Sequence, residues 1–233
     1  MLSRQIVQEL NSEYQQIFPQ PPTTKAEQSI SDRIRRSLSW LQRSVELPSD
    51  DKPPRLIDLW IALNALYGVV TYSHQNSSKK ESICFEEFLQ RLSKLDTNKT
   101  LSQLLQNDKF TKISLSIIEN KYLWNDFWRN DSASYNKNIA KEHSKAKENL
   151  YFKPPRYIDF LVSVFKRISI LRNQIMHGSS SASTDRNRDA LIPAIHVLET
   201  MLPVFIRILL SKNDDEEWPV VPYPRRGSPQ HPE

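Results

Sequence analysis

Glycine is scarce in this sequence. Three occur in 233 residues, at positions 68, 178 and 227. Phosphate-cradling loops need clustered glycines, so neither a GxGxxG turn nor a Walker loop can be built, and a nucleotide-binding α/β fold is excluded with them. Cysteine is scarcer still. Cys84 is the single thiol, so no intramolecular disulfide can form, which accords with a reducing compartment. It precedes FEEFLQRL with no glycine-rich turn beside it, and reads as a small core residue rather than a nucleophile. No run alternates cleanly at period two, which removes the usual strand signal. The longest apolar-rich stretches, around 56–70 and 192–210, are interrupted and fall short of a convincing bilayer span. The first residues, MLSRQIVQELNSEYQQ, are too polar for a targeting core. These absences lead to the expectation of a cytoplasmic protein with no membrane partner.

What is present is helical. Apolar residues make up 38% and charged residues 25%, enough for a sizeable core in a polar shell. The net charge of +5 permits an acidic partner without requiring one. Ile6, Leu10, Tyr14 and Ile17 mark a first amphipathic helix, which PQPPTT ends because proline cannot continue a helix interior. A second runs from about 25 to 45 with Ile30, Ile34, Leu38 and Leu41 as its stripe. Arg33, Arg35, Arg36 and Arg43 make its other faces basic and, by expectation, solvated. RLIDLWIALNALYGVV is apolar almost all round and belongs at the centre of a bundle, where the Asn64 amide would need partners. Shorter helices follow over 84–128. They carry the aromatic set Tyr122, Trp124, Phe127 and Trp128, which reads as core more readily than as a base-stacking surface. In SYNKNIAKEHSKAKENLYF, Lys137, Lys141 and Lys145 recur every four residues and share one helix face, the best candidate for phosphate contacts. His143 in the same stretch reads as a solvated residue, and His196 in the last helix as a core or boundary one. The chain is therefore all α. Its expected organisation is an N-terminal helix and linker over 1–24, a helical domain over 25–212, and a proline-rich tail over 213–233. That tail is either disordered or docked through Trp218, Val220 and Tyr223.

The informative stretch is ILRNQIMHGSSS, at the end of a long helix predicted over 155–177. Pro155 suits its first turn and Gly178 its C-terminal cap. At ~100° per residue, Ile158, Leu161, Val162, Phe165, Ser169 and Met176 share one face, with Arg172 inside that apolar stripe. Asn173 and His177, four apart, are neighbours at its edge. A guanidinium among apolar residues needs a partner. On these residues alone two readings stand. Arg172 pairs with an acid or with backbone carbonyls, and His177 is a helix-end residue favoured by the dipole. Alternatively Arg172, Asn173 and His177 are set out for chemistry.

LRNQIMHG resembles the RNxxxH signature of the HEPN superfamily. The layout is similar too: a helical bundle, the motif at the end of a long helix, a turn of small residues, then a final helix. The LWIALNALYG helix looks like an earlier core helix of several HEPN subfamilies. The resemblance implies an endoribonuclease that needs neither metal nor cofactor and acts as a homodimer with two motifs facing one cleft. In that chemistry an RNA 2′-hydroxyl attacks the adjacent phosphorus and leaves a cyclic phosphate. An imidazole can move the proton, and His177 supplies it. Arg172 would stabilise the phosphorane, and Asn173 would hold the imidazole or a phosphate oxygen. The resemblance further implies a toxin or antiviral effector, with an antitoxin or defence-complex partner. In HEPN toxins silenced by a nucleotidyltransferase, a tyrosine stands two residues after the histidine. Ser179 occupies that position here, which departs from this form of control. The competing expectation is a non-catalytic HEPN-like module that binds nucleic acid or protein.

Overall fold

A computed structural model describes residues 2–69, 81–129, 132–151, 156–178, 188–211, 218–219 and 221. Among them there are ten α-helices, one short 3-10 turn and no strand: α1 (Arg4–Ile17), α2 (Lys25–Glu46), α3 (Lys52–Tyr67), α4 (Glu81–Leu95), α5 (Thr100–Gln106), α6 (Asp108–Glu119), α7 (Asn125–Trp128), α8 (Ser132–Tyr151), α9 (Arg156–Met176) and α10 (Arg188–Ser211). The all-α class follows directly.

Helix starts are set by local chemistry. Thr24 and Glu27 form a reciprocal capping box that opens α2 directly after the prolines. Two prolines sit in the first turn of α3, where their missing N–H groups cost nothing. The Asp96 carboxylate accepts from the Thr100 and Leu101 amides at 2.8 and 2.7 Å and starts α5. Asn107 caps α6 by accepting from the Phe110 amide. Asn120 does the same for the 3-10 turn Lys121–Leu123, so the chain breaks there before α7 begins.

α3 lies across the centre and packs chiefly on α2 and α10. Its Asn64 is solvent-exposed, contrary to the buried amide expected, because the uncovered strip of this helix passes through that position. Phe165 of α9 is the hub of an aromatic cluster. It stacks on Phe85 at 4.1 Å and on Trp60 at 5.0 Å, and meets Tyr67 edge-on at 5.5 Å. Such pairs add about 0.5–1.5 kcal/mol each beyond area burial. The cluster fixes α3, α4 and α9 relative to one another. Arg55 of α3 and Glu199 of α10 make a largely buried ion pair at 2.6 Å. The Asp189–Ser211 segment of α10 is long and apolar enough to cross a membrane by length and composition, which the interrupted sequence pattern did not suggest. In its most apolar 18-residue window 72% of the residues are buried, and the helix packs against α3, α6 and α1 among others.

The arginines of α2 do not form one solvated face. Arg33 is 1% exposed. It donates to the Leu66, Gly68 and Pro219 carbonyls at 2.7, 2.8 and 2.7 Å. Burial pulls its pKa down to about 9, so the guanidinium stays charged at neutral pH. Ser29 donates to the same Pro219 carbonyl at 2.9 Å, and Trp218 is buried against Phe88. The tail thus docks through Trp218 as one expectation had it, while Val220 and Tyr223 lie outside the described residues. Leu2, Val7 and Leu10 of the N-terminal segment belong to the same apolar core as the helices that follow.

Candidate functional site

The motif occupies the last turns of α9. Gly178 follows at φ 65°, a left-handed conformation that suits glycine, and its amide reaches the Ile175 carbonyl at 3.1 Å. The helix therefore ends at Met176, and the amide of His177 still closes onto Asn173 at 2.9 Å. Pro155 lies outside the described residues.

One stripe of α9 is left uncovered. Lys166, Ile170, Asn173 and His177 fall within about 60° of one another around the axis. Lys166, Asn173 and His177 are exposed and Ile170 is half-buried. Met176 borders the stripe at 62% exposure, against the expectation that it shares the buried face of Phe165. Its place in the last turn of the helix, beside the Gly178 stop, distinguishes it from the buried residues of that face. Lys166 and Ile170 of this stripe line a cleft of about 360 Å³ together with Glu81, Ser82 and Asn125, while Asn173 and His177 follow one and two turns beyond it along α9.

Arg172 sits on the Glu81 side. Its Nη2 donates to both Glu81 carboxylate oxygens at 2.9 Å, and its guanidinium carbon lies 4.8 Å from the centre of the Trp60 ring. Glu81 also accepts from the Tyr67 hydroxyl at 3.0 Å and from Ser169 at 3.1 Å. Desolvation, with the neighbouring Glu81 charge, drives the Tyr67 phenol strongly upward, so Tyr67 stays protonated and donates. The acid that the apolar position of Arg172 called for is thus Glu81, 91 residues away in sequence. No local pattern marks it, since its pairing depends on how α4 lands beside α9. The Arg172 side chain is 24% exposed and that of Glu81 36%, so the pair borders the cleft rather than lying beneath it.

The opposite shoulder is built by the 3-10 turn and α7. Gln174 donates to the Tyr122 carbonyl at 2.7 Å, and Arg167 to the Leu123 carbonyl at 2.9 Å. Arg167 also covers the Trp124 ring at 3.9 Å. The structure therefore brings Asn173 and His177 together on open surface and turns Arg172 aside toward Glu81. Lys137, Lys141 and Lys145 are exposed on α8, which packs against α6 and α9. His143 is half-buried rather than solvated, with Nε2 2.5 Å from a Glu119 oxygen. Among the described residues no three of His, Cys, Asp and Glu converge as metal ligands. His196 lines a separate cleft of about 420 Å³ between α3, α6 and α10, beside Arg55 and Glu199.

In comparison with known proteins, no family model matches the chain, and no curated protein and no solved structure matches it either.

Proposed function

We propose that the chain is an endoribonuclease that cleaves single-stranded RNA without metal, using Arg172, Asn173 and His177 in a site completed by a second copy. The observation that carries this reading is the uncovered stripe at the end of α9. It presents an imidazole, an amide and a lysine on open surface, with a guanidinium on its shoulder. A purely structural helix end has no need to expose Asn173 and His177 side by side. In the proposed reaction His177 takes the 2′-hydroxyl proton as the oxygen attacks the neighbouring phosphorus. The products are a 2′,3′-cyclic phosphate and a 5′-hydroxyl. Arg172 turns from Glu81 toward the non-bridging oxygens as negative charge builds on phosphorus. A second motif across a two-fold axis supplies the acid for the leaving oxygen. A role as a toxin or defence effector, held in check by a partner, extends the same reading.

The test is cleavage of end-labelled RNA in EDTA by wild type, Arg172→Ala and His177→Ala. The reading expects cleavage by wild type alone. Lys137, Lys141 and Lys145 are proposed to hold the RNA backbone. Replacing all three with alanine should weaken binding and flatten the dependence of log K on log salt by about 0.7 per lost phosphate contact. An unchanged slope removes them from the interface.

A second reading is favoured by one observation. The Glu81 carboxylate already satisfies Arg172, as a structural ion pair would. On that reading the domain binds RNA or protein and cuts nothing. A folded, dimeric wild type that binds RNA but leaves every substrate intact would support it.

A further inference from the structure

The tryptophans of the Tyr122–Trp128 segment have split roles. Trp124 is 4% exposed, donates to the Ile118 carbonyl at 2.9 Å and lies under Arg167. It is core. Trp128 is 58% exposed, yet it is not loose. Its indole N–H donates to the Tyr122 carbonyl at 3.0 Å, and Phe127 meets its ring edge-on at 5.3 Å. An indole pinned at its polar edge with its surface in water leaves a large apolar area unburied.

Its position gives that surface a use. The Tyr122 carbonyl that holds Trp128 is the same oxygen that accepts from Gln174 at 2.7 Å. One atom therefore ties the ring to α9, at the residue next to Asn173 and three before His177. Cations stand by the aromatic group to which the ring belongs. Lys121 stands 5.1 Å from the Tyr122 ring and 5.6 Å from that of Phe127, and Arg129 follows Trp128 on exposed surface. Asn138 of α8 donates to Asp126 at 2.9 Å, which brings the Lys137 and Lys141 turns alongside. Asp126, Glu119 and Glu142 are opposing charges on this shoulder.

We infer that Trp128 is a base-stacking platform for single-stranded RNA, placed so that a nucleotide next to the scissile one lies flat on its indole. Aromatic faces among cations are what a flexible polyanion with planar bases requires, and such stacking tolerates any base. The inference deepens the ribonuclease reading and rests on RNA being the ligand of this cleft.

The experiment uses the full chain carrying His177→Ala, so that binding is read without turnover. Fluorescence anisotropy measures a labelled twelve-nucleotide uridine RNA and an abasic strand of equal phosphate count. Trp128→Ala should weaken the uridine strand by about fivefold or more with the same salt slope. Trp128→Phe should recover most of that loss. The abasic strand should bind weakly, whichever residue stands at 128. Uridine binding that is equal with and without the Trp128→Ala substitution overturns the inference. So does loss of the dimer by light scattering in Trp128→Ala, which would assign the ring to a protein contact. Trp128-dependent binding by a wild type that never cleaves would end the nuclease reading and leave the platform standing. Cleavage whose KM ignores position 128 would do the reverse.

Discussion

Replacing Glu81 with glutamine removes the charge that holds Arg172 while keeping the shape of the side chain. In the native chain Glu81 gathers three donors, from Arg172, Tyr67 and Ser169. Glutamine still accepts through one oxygen, but turns an N–H group toward a guanidinium that is itself only a donor. Arg172 then lies over Trp60 with no counter-charge. Fully buried pairs cost about 3–5 kcal/mol when one partner is removed, and exposed pairs about 0–1. This pair is 24% and 36% exposed, so about 1–2 kcal/mol is expected, or a fall in Tm of about 2–8 °C for a chain of this size. A double-mutant cycle with Arg172→Ala isolates the coupling. Additivity within about 0.3 kcal/mol would show that the two side chains do not hold one another. The functional arm has the opposite sign. A guanidinium freed from its carboxylate is available to phosphate. RNA affinity should therefore rise and the salt slope steepen by about 0.7, one added phosphate contact. Destabilisation with unchanged RNA affinity and slope would refute the idea that Arg172 exchanges Glu81 for substrate.

Two further outcomes follow from buried charge elsewhere. Arg33→Ala strands the Leu66, Gly68 and Pro219 carbonyls and should lower unfolding stability by about 3–5 kcal/mol in urea titrations; a loss below about 1 kcal/mol would contradict the bonding described. His196 is held below its ordinary value by burial and by Lys109, against the pull of Glu199. The unfolded chain therefore takes up this proton first as pH falls through about 6.5, and stability declines with it. His196→Gln should lose less stability than wild type between about pH 7.5 and 5.5, and parallel profiles would contradict the assignment.

Much of the architecture is legible from periodicity, because each helix's own stripe records which face is covered. The stripe of α2 is buried at Ile30, Ile34, Leu38 and Leu41, whereas that of α1 is fully buried only at Leu10 and ends on an exposed Ile17. α10 runs through Pro193 and Pro203, which as interior prolines would argue against a helix on local propensity alone. The capping box at Thr24 and the glycine stop at 178 are local signals and occur where local chemistry puts them. What spacing does not record is which distant element covers a face. Arg33 looks like one of a basic set and is the most deeply buried of them, because a carbonyl cage from α3 and the tail closes over it. Met176 has the phase of a core residue and is nonetheless exposed. Trp124 and Trp128 share composition and spacing, and only the path of the 3-10 turn separates the buried ring from the exposed one. At the candidate site Asn173 and His177 fall together as four-residue spacing requires. The partner of Arg172 depends on α4, which no pattern near the motif foretells.

The proposal turns on whether the 2′-hydroxyl is the nucleophile. The measurement that bears on it most directly is mass spectrometry of the cleavage products in EDTA, using one sequence as RNA and as its all-2′-deoxy counterpart, for wild type and His177→Ala. The account predicts 2′,3′-cyclic phosphate ends from RNA with wild type, an intact deoxy strand, and no products with His177→Ala. Cutting of the deoxy strand, 5′-phosphate ends, or undiminished cleavage by His177→Ala would contradict it.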